Sequence, residues 1–537
     1  MRKIVAIIAS LVLLWGCKPN PYEDREPPVR DESITETTSF NNLFLDSIGI
    51  DAFLQNHPSF DTFTTQYHDF YKERNYEFAW FDSVGGSEQA NNFFNLLQHS
   101  IEQLEDSSLY NKLVYDAYEK AINSSKSKVK NAQANFSEAE LLLTGQFFSY
   151  AAKVYAGSQV DATQLGWFIP RKKVDVKNIL DSAIKVKSKA DYNFGQLHPQ
   201  YKKLQNFLEK FVALRKKYDW DNDTIPIPPK AYKQGDSSHA IQSIKQRLFA
   251  YGDLQNEETS AHYDETLLTA VKSFQKRNGL AVDGAIGPAM IKQLNDSLDT
   301  KIRTILVNME RARWMPKVED SIYIYVNIPE YKLAVYLHDT IHKKMNVIVG
   351  SEANNTVIFS GNLRYIVFSP YWNVPYSIVK KEIAPKIATD RNYLARNNME
   401  TYGGKVGGLP QIRQKPGPTN SLGLVKFLFP NNYNIYLHDT PNRGLFENNK
   451  RNLSHGCVRI GEPKWLANFL LKEDAAWNDS TIETAMHLAK EKWVTLKKPI
   501  KVVIAYFTAW VDDNGTLNFR KDIYGHDKIM ANKLFAK

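Results

Sequence analysis

Cysteine is almost missing from this chain: its 537 residues include two, Cys17 and Cys457. A disulfide framework is therefore excluded, and at most one bridge is possible. Nucleic-acid signatures are missing too. There is no zinc-finger spacing, no Gly-rich phosphate loop with its Lys and no RNA-binding motif, so no nucleic acid is expected as a partner. Charge of one sign is nowhere massed. The formal net charge of +9 is spread along the chain, which suits an anionic polymer, a membrane surface or nucleic acid without choosing among them. Apolar substance is plentiful: hydrophobic residues make up 43% of the chain, enough to bury substantial cores. The length implies about two to four domains.

Arg2 and Lys3 give a positive start, and Ile4 to Leu14 form an apolar run too short to span a bilayer permanently. The following Leu14-Trp15-Gly16-Cys17 resembles the lipobox of bacterial lipoproteins, with bulky Trp15 where a small residue is usual. Residues 1–17 then read as a lipoprotein signal peptide. The resemblance implies that Cys17 becomes the lipid-bearing mature N-terminus, anchored to a membrane. The plainer alternatives are an ordinary signal peptide with an incidental Cys, or a short anchor helix. Lipidation implies a cell-envelope, periplasm-facing location, with the outer membrane the expected one.

Residues 18–40 are rich in Pro, Glu, Asp, Arg and Thr and read as a solvated tether. From 41 to 225 apolar residues recur at helical spacing, as in Phe93, Phe94, Leu96, Leu97 and Ile101, and this region is expected to be a helical scaffold. A Pro-rich break at 225–229 introduces a small module at 232–297. Ile241, Ile244, Leu248 and Tyr251 mark its first helix; Leu267, Leu268, Val271 and Phe274 mark a second that stops at Gly279; Pro288 opens a third. Together with Gly235-Asp236, Tyr263-Asp264 and Asp283-Gly284, these features resemble the three-helix peptidoglycan-binding domain of cell-wall enzymes. The bland alternative is a helical bundle without a ligand.

From about 320 the texture changes to short apolar alternations, among them 322–326, 333–336, 346–349, 365–368, 434–437 and 501–504. Strands of about four to six residues are expected there. Asn514-Gly515 predicts a closing hairpin in a C-terminal segment at 508–537. The polar, glycine-punctuated stretch 378–424 reads as a lid inserted into the β domain of 320–507. The fold class expected is thus multidomain α+β.

The residues that suggest chemistry are Tyr436-Leu437-His438 and, nineteen positions after the histidine, Cys457 in a Ser454-His455-Gly456-Cys457 turn. Cysteine catalysis needs a thiolate, a base and donors for an oxyanion. A strand-end His438 meets the first need of such a base, and a protonated His438 would lower the thiol pKa. Gly456 allows close backbone approach, so that the Gly456 and Cys457 amides can converge. An inert buried Cys and a metal site with His438, His455 and Cys457 are the alternatives, the latter lacking an obvious fourth ligand. No metal and no cofactor is expected.

His438, fifteen residues, then Ser-His-Gly-Cys resembles the signature of L,D-transpeptidase catalytic domains, the YkuD-like fold. Tyr371-Trp372-Asn373-Val374-Pro375, the run Arg413 to Pro418, Asn420 to Gly423, and the aromatic segment Phe70 to Trp80 resemble the large subgroup of that family. The last signature position, often Asn, is Arg459 here. The resemblance implies that Cys457 attacks the bond between the third and fourth residues of a peptidoglycan stem peptide, leaving a thioester. It implies that His438 is the base, that the Gly456 and Cys457 amides hold the oxyanion, and that Ser454 and His455 shape the turn and orient His438. Arg459 is then expected to hold a stem carboxylate, with a structural ion pair the alternative, and Tyr371, Trp372 and Asn373 to line the cleft, with aromatic core packing the alternative for the first two. An amine of a second stem would resolve the thioester into a 3→3 cross-link, making peptidoglycan stem peptides and glycan the partners. Hydrolysis of the same thioester, a non-catalytic wall-tethering lipoprotein and a protein-directed cysteine protease are the rival readings.

Overall fold

The computed structural model describes residues 43–82, 84–103, 107–127, 132–158, 160–171, 173–185 and 197–535. Cys17, the signal peptide and the tether lie outside the described residues. Among the described residues no helix is long and apolar enough to cross a membrane. They form two compact units, the first within 43–102, 107–152 and 175–185, the second within 153–171, 173–174 and 197–535. The 41–225 stretch expected as one scaffold is thus shared between both.

The first unit is helical: α1 (Ser47–Asn56), α2 (Thr64–Glu73), α3 (Glu88–Gln103), α4 (Lys112–Ser127), α5 (Ala132–Ala151) and α6 (Val176–Lys185), with a two-residue-strand hairpin, β1 (Phe81–Asp82) and β2 (Gly85–Gly86). Aromatics dominate its interior. Tyr67, Phe70, Tyr71 and Trp80 are fully buried, and the Tyr67 ring meets Phe148 edge-on at 5.4 Å. The α5 helix passes close to these rings: a Cβ at Gly145 would overlap the Tyr67 phenol and the Phe60 ring. Buried Glu140 on α5 accepts from the Ala79 amide at 2.6 Å and the Trp80 amide at 2.9 Å. Burial pushes its carboxyl up to about 7, against those two donors. The sequence pattern gave no hint of this buried acid.

In the second unit α7 (Gln200–Lys217) precedes the small module, whose helices are α8 (His239–Tyr251), α9 (Glu265–Arg277) and α10 (Pro288–Leu294). The apolar stripes meet as expected, with Ile241, Ile244, Leu248, Leu267, Val271 and Phe274 buried. Asp264 caps α9 by accepting from the Leu267 amide at 2.7 Å. The turn resembling the wall-binding motif is tied by Gln275, which donates to Asp283 at 2.8 Å and accepts from the Gly284 amide at 2.9 Å. The module is no free appendage. Arg520 of the C-terminal segment donates to the Arg277 carbonyl at 2.8 Å.

After α11 (Leu298–Trp314) the β domain begins. Its strands are β3 (Ile322–Asn327), β4 (Lys332–Leu337), β5 (Thr340–Gly350) and β6 (Phe359–Phe368), then β7 (Trp372–Asn373), β8 (Met399–Val406) and β9 (Leu409–Gln414). They continue with β10 (Val425–Leu428), β11 (Leu437–His438), β12 (Asn452–Ser454), β13 (Val458–Ile460) and β14 (Lys492–Ala505). The main sheet runs β12-β5-β13-β11-β10-β6-β14-β3-β4, and β4 returns to pair with β5, closing the sheet on itself. Closure leaves few bare edges.

Three of the expected strands exceed the expected length. β5 has 11 residues, β6 has 10 and β14 has 14. The outer half of β5 is polar and alternately exposed, and β14 carries a register shift between Thr495 and Ile500, so neither reads as one apolar run. The expected strand at 434–437 shrinks to Leu437–His438, because Asn434 turns into the left-handed region at φ 56°. The segment expected as a polar lid folds: β7, β9 and β8 form a separate sheet around Val374, Ile378, Val379, Ile383 and Ile412. The expected C-terminal hairpin forms between β15 (Ala509–Val511) and β16 (Leu517–Phe519).

Candidate active site

Strand alternation assembles the site. β11 and β13 pair in parallel, with Leu437 opposite Val458 and His438 opposite Arg459. Side chains two apart share a face, so Tyr436 and His438 of one strand join Cys457 and Arg459 of the other. Leu437 and Val458, on the other face, are fully buried and hold the pair in register. The Tyr436 ring lies 5.6 Å from the His438 ring. Its phenol also meets the Cys457 thiol, and the thiol donates to the Asn434 carbonyl at 3.4 Å. Tyr436 thus touches both groups. It was absent from the expected site, although its place two residues before His438 announces it.

His438 is buried and donates from Nδ1 to the Asp439 carbonyl at 2.5 Å, leaving Nε2 as the basic nitrogen. Burial, then the Arg459 charge, hold its pKa down to about 3, against the carbonyls of Asp439 and Leu422. Burial raises the Cys457 thiol as well, with Tyr436 and Arg459 opposing. The resting pair is therefore neutral thiol and neutral imidazole. The expected protonated histidine, lowering the thiol pKa, is not the state this geometry favours: desolvation opposes two charges here.

The turn is built by Ser454, whose hydroxyl donates to the Cys457 carbonyl at 2.6 Å and accepts from the Gly456 amide at 3.1 Å. Gly456 sits at φ 116°, in the region only glycine adopts without strain. The Gly456 amide is consequently committed to Ser454 and does not point at an oxyanion, contrary to expectation. The Cys457 amide has no such partner among the described residues. Nor does His455 orient His438: its Nε2 pairs with Glu382 of the inserted segment at 3.0 Å. The Asp439 carbonyl does the orienting instead. Further support comes from Thr356, which donates to the Gly456 carbonyl at 2.7 Å. Tyr524, in turn, donates to the Gly350 carbonyl at 2.7 Å and accepts from the Thr356 amide at 3.3 Å. Nothing in the motif signals Thr356, Tyr524 or Glu382.

Arg459 is half-buried, its Nε has no partner among the described residues, and it lines a cavity of about 300 Å³ with Thr419, Ser421, Thr440, Pro441 and Asn442. A buried cation left unpaired is a ready carboxylate site. The other expected cleft residues make contacts of their own. Trp372 packs against the core of the inserted sheet, Arg413 lies over the Tyr371 ring at 4.3 Å, and Asn373 pairs with Arg413 across β7 and β9. None of the three has a hydrogen bond or ring contact with Cys457 or His438 among the described residues. Among the described residues no three His, Cys, Asp or Glu are grouped as for a metal ion.

Residues 321–502 match the family described as the L,D-transpeptidase catalytic domain, 65–208 a scaffold domain and 237–294 a putative peptidoglycan binding domain. A curated protein of Haemophilus influenzae, named putative L,D-transpeptidase, is 34% identical over 239 residues, 42% of this chain and 48% of that protein. The matched stretch thus spans about half the length of this relative. Among solved structures, an L,D-transpeptidase from Xylanimonas cellulosilytica aligns at 14% identity over 52% of this chain and 100% of its own, with a TM-score of 0.17. Another from Stackebrandtia nassauensis aligns at 12% identity over 52% and 97%, with a TM-score of 0.22. At those scores the two structures carry no weight, and the domain matches stand on sequence. Residues 321–502 thus match the L,D-transpeptidase catalytic domain family, in the same chain as matches to a scaffold domain and a putative peptidoglycan binding domain.

Proposed function

We propose that this protein is a peptidoglycan L,D-transpeptidase that forms 3→3 cross-links through a thioester on Cys457. The observation that carries this reading is the shared strand face of Cys457, Tyr436, His438 and unpaired Arg459. A stem carboxylate bound by Arg459 brings a negative charge to a site otherwise short of one. As Sγ attacks the carbonyl after the third stem residue, His438 Nε2 takes up the thiol proton, and the Cys457 amide donates to the oxyanion. Collapse breaks the C–N bond, and the imidazolium returns its proton to the departing D-Ala amine. The side-chain amine of a second stem's diamino acid then attacks the thioester, gives a proton to His438 and releases the thiol. A neutral resting pair suits this order, since the proton moves only as the bond forms.

In the same reading the 232–297 module keeps the enzyme on its polymer, raising local substrate concentration. Lipidation at Cys17 places it at the periplasmic face of the envelope, in wall biogenesis and cell shape. The test is mass spectrometry of tetrapeptide muropeptides incubated with the full chain in detergent, wild type beside Cys457→Ala. Cysteine-dependent dimers joined through two diamino acids, with D-Ala released, are expected. Tripeptide monomers alone would reassign the protein to L,D-carboxypeptidase, and no cysteine-dependent change would leave a tethering lipoprotein.

A further inference from the structure

One surface beside the nucleophile is made partly by a segment outside the catalytic domain. Residues Ala162–Leu165 form a short 3-10 turn, capped by Asp161 and ended by left-handed Gly166. Trp167 then bridges Ile358: the Phe168 amide donates to the Ile358 carbonyl at 2.7 Å, and the Ile358 amide to the Gly166 carbonyl at 2.7 Å. Alternation sends the Trp167 ring inward, edge-on to Trp314 at 5.5 Å, and Phe168 outward. The Phe168 ring stacks on Tyr433 at 4.7 Å. Both rings remain 37% exposed.

This aromatic shelf is held rigidly. Phe359 backs the Tyr433 ring at 5.0 Å and stacks on Phe429 at 5.5 Å. The Asn431 side chain accepts from the Tyr433 amide at 2.9 Å and donates to the Ile435 carbonyl at 2.8 Å. The next residue is Asn434, whose carbonyl accepts from the Cys457 thiol. The shelf therefore begins one residue from the group that holds the nucleophile. Close to the same turn, the backbone carbonyls of exposed Asn354 and Asn355 lie nearest the open side of Gly456.

A fixed, part-exposed aromatic pair beside amide-bearing residues is the chemistry that takes a puckered, hydroxylated sugar ring: its axial CH groups pack on the uncovered aromatic surface while polar rim groups find amides. We propose that Phe168 and Tyr433 form a saccharide subsite that holds the N-acetylated sugar carrying the donor stem. The proposal rests on the transpeptidase reading above. With the scissile bond after the third stem residue, three extended residues span about 10 Å, the scale of one backbone step plus an aromatic side chain. The segment that splits the scaffold thereby becomes part of the substrate site, and Phe168 is a positioning residue, not a catalytic one.

The test compares two donors, disaccharide-tetrapeptide and free tetrapeptide, with full-length wild type, Phe168→Ala and Phe168→Tyr. For Phe168→Ala the KM for the disaccharide donor is expected to rise about tenfold at unchanged kcat, with the free peptide's KM unmoved and Phe168→Tyr restoring the wild-type value. Equal effects on both donors, or none on either, overturn the subsite. If wild type turns over neither donor, the transpeptidase reading has failed, and the shelf is judged by saturation-transfer NMR with chitotriose. A signal lost in Phe168→Ala upholds saccharide binding; no signal with wild type overturns it.

Discussion

Two cations of the second unit have opposite surroundings. Lys245, in the small module at 232–297, has no exposed side-chain surface and is met by Glu258 at 2.8 Å and Asp264 at 2.5 Å. Burial works against its charge, but the hydrogen bonds it donates to those carboxylates outweigh it and raise the pKa. Arg459, on the main sheet, is half-buried, yet no carboxylate among the described residues pairs with it. The first arrangement is complete without a ligand. The second is not, and incomplete charge beside a nucleophile is where substrate chemistry is sought.

The contrast is broken most directly at the thiol. Cys457→Ala is expected to abolish muropeptide dimers, a loss of at least about a thousandfold, and His438→Gln to lower kcat about a hundredfold or more. Rates measured with folded protein check both; an active Cys457→Ala would remove the site altogether. Arg459→Gln is expected to raise KM for stems with a free carboxylate about ten- to a hundredfold, while leaving the melting temperature unchanged or higher, since an unpaired cation leaves the interior. Lys245→Ala should do the reverse. It is expected to destabilise the module by about 2 kcal/mol in denaturant titration, the two acids being partly solvated, with kcat unchanged.

Smaller effects follow from protonation. Because the Cys457 thiol is raised and His438 is neutral above about 3, alkylation of Cys457 by iodoacetamide should climb through the alkaline range, with no step near the ordinary histidine value of about 6.5. Rapid alkylation at pH 5 would instead reveal a thiolate–imidazolium pair. Buried His438 and His526 and partly buried His198 have depressed values of about 3, 4 and 4, desolvation being the main cause in each. The unfolded chain then binds more protons below about 6.5. The contribution of these histidines should therefore be full at neutral pH and lost as pH falls toward 4, with buried Glu140, raised to about 7, working in the opposite sense, read as the denaturant midpoint at pH 7, 5.5 and 4.5.

Cys457 and His438 were legible because their chemistry is compressed into one strand end and one turn. Tyr436 was recoverable by alternation. Thr356 and Tyr524 were not, since they brace the turn from positions far away in sequence, and a contact of that kind leaves no periodic mark. The inserted segment misled for a related reason. Its core residues Ile378, Val379, Ile383 and Ile412 are scattered among lysines and glycines, so a folded sheet read as polar loop. Likewise β14 hid its length behind Lys497, Lys498 and Pro499, which straddle its register shift.

The phenol of Tyr524 clamps Gly350 and Thr356 across separations of 174 and 168 residues. The turn that carries Cys457 therefore takes its braced geometry only once Tyr524, which follows it in the chain, has folded against Gly350 and Thr356.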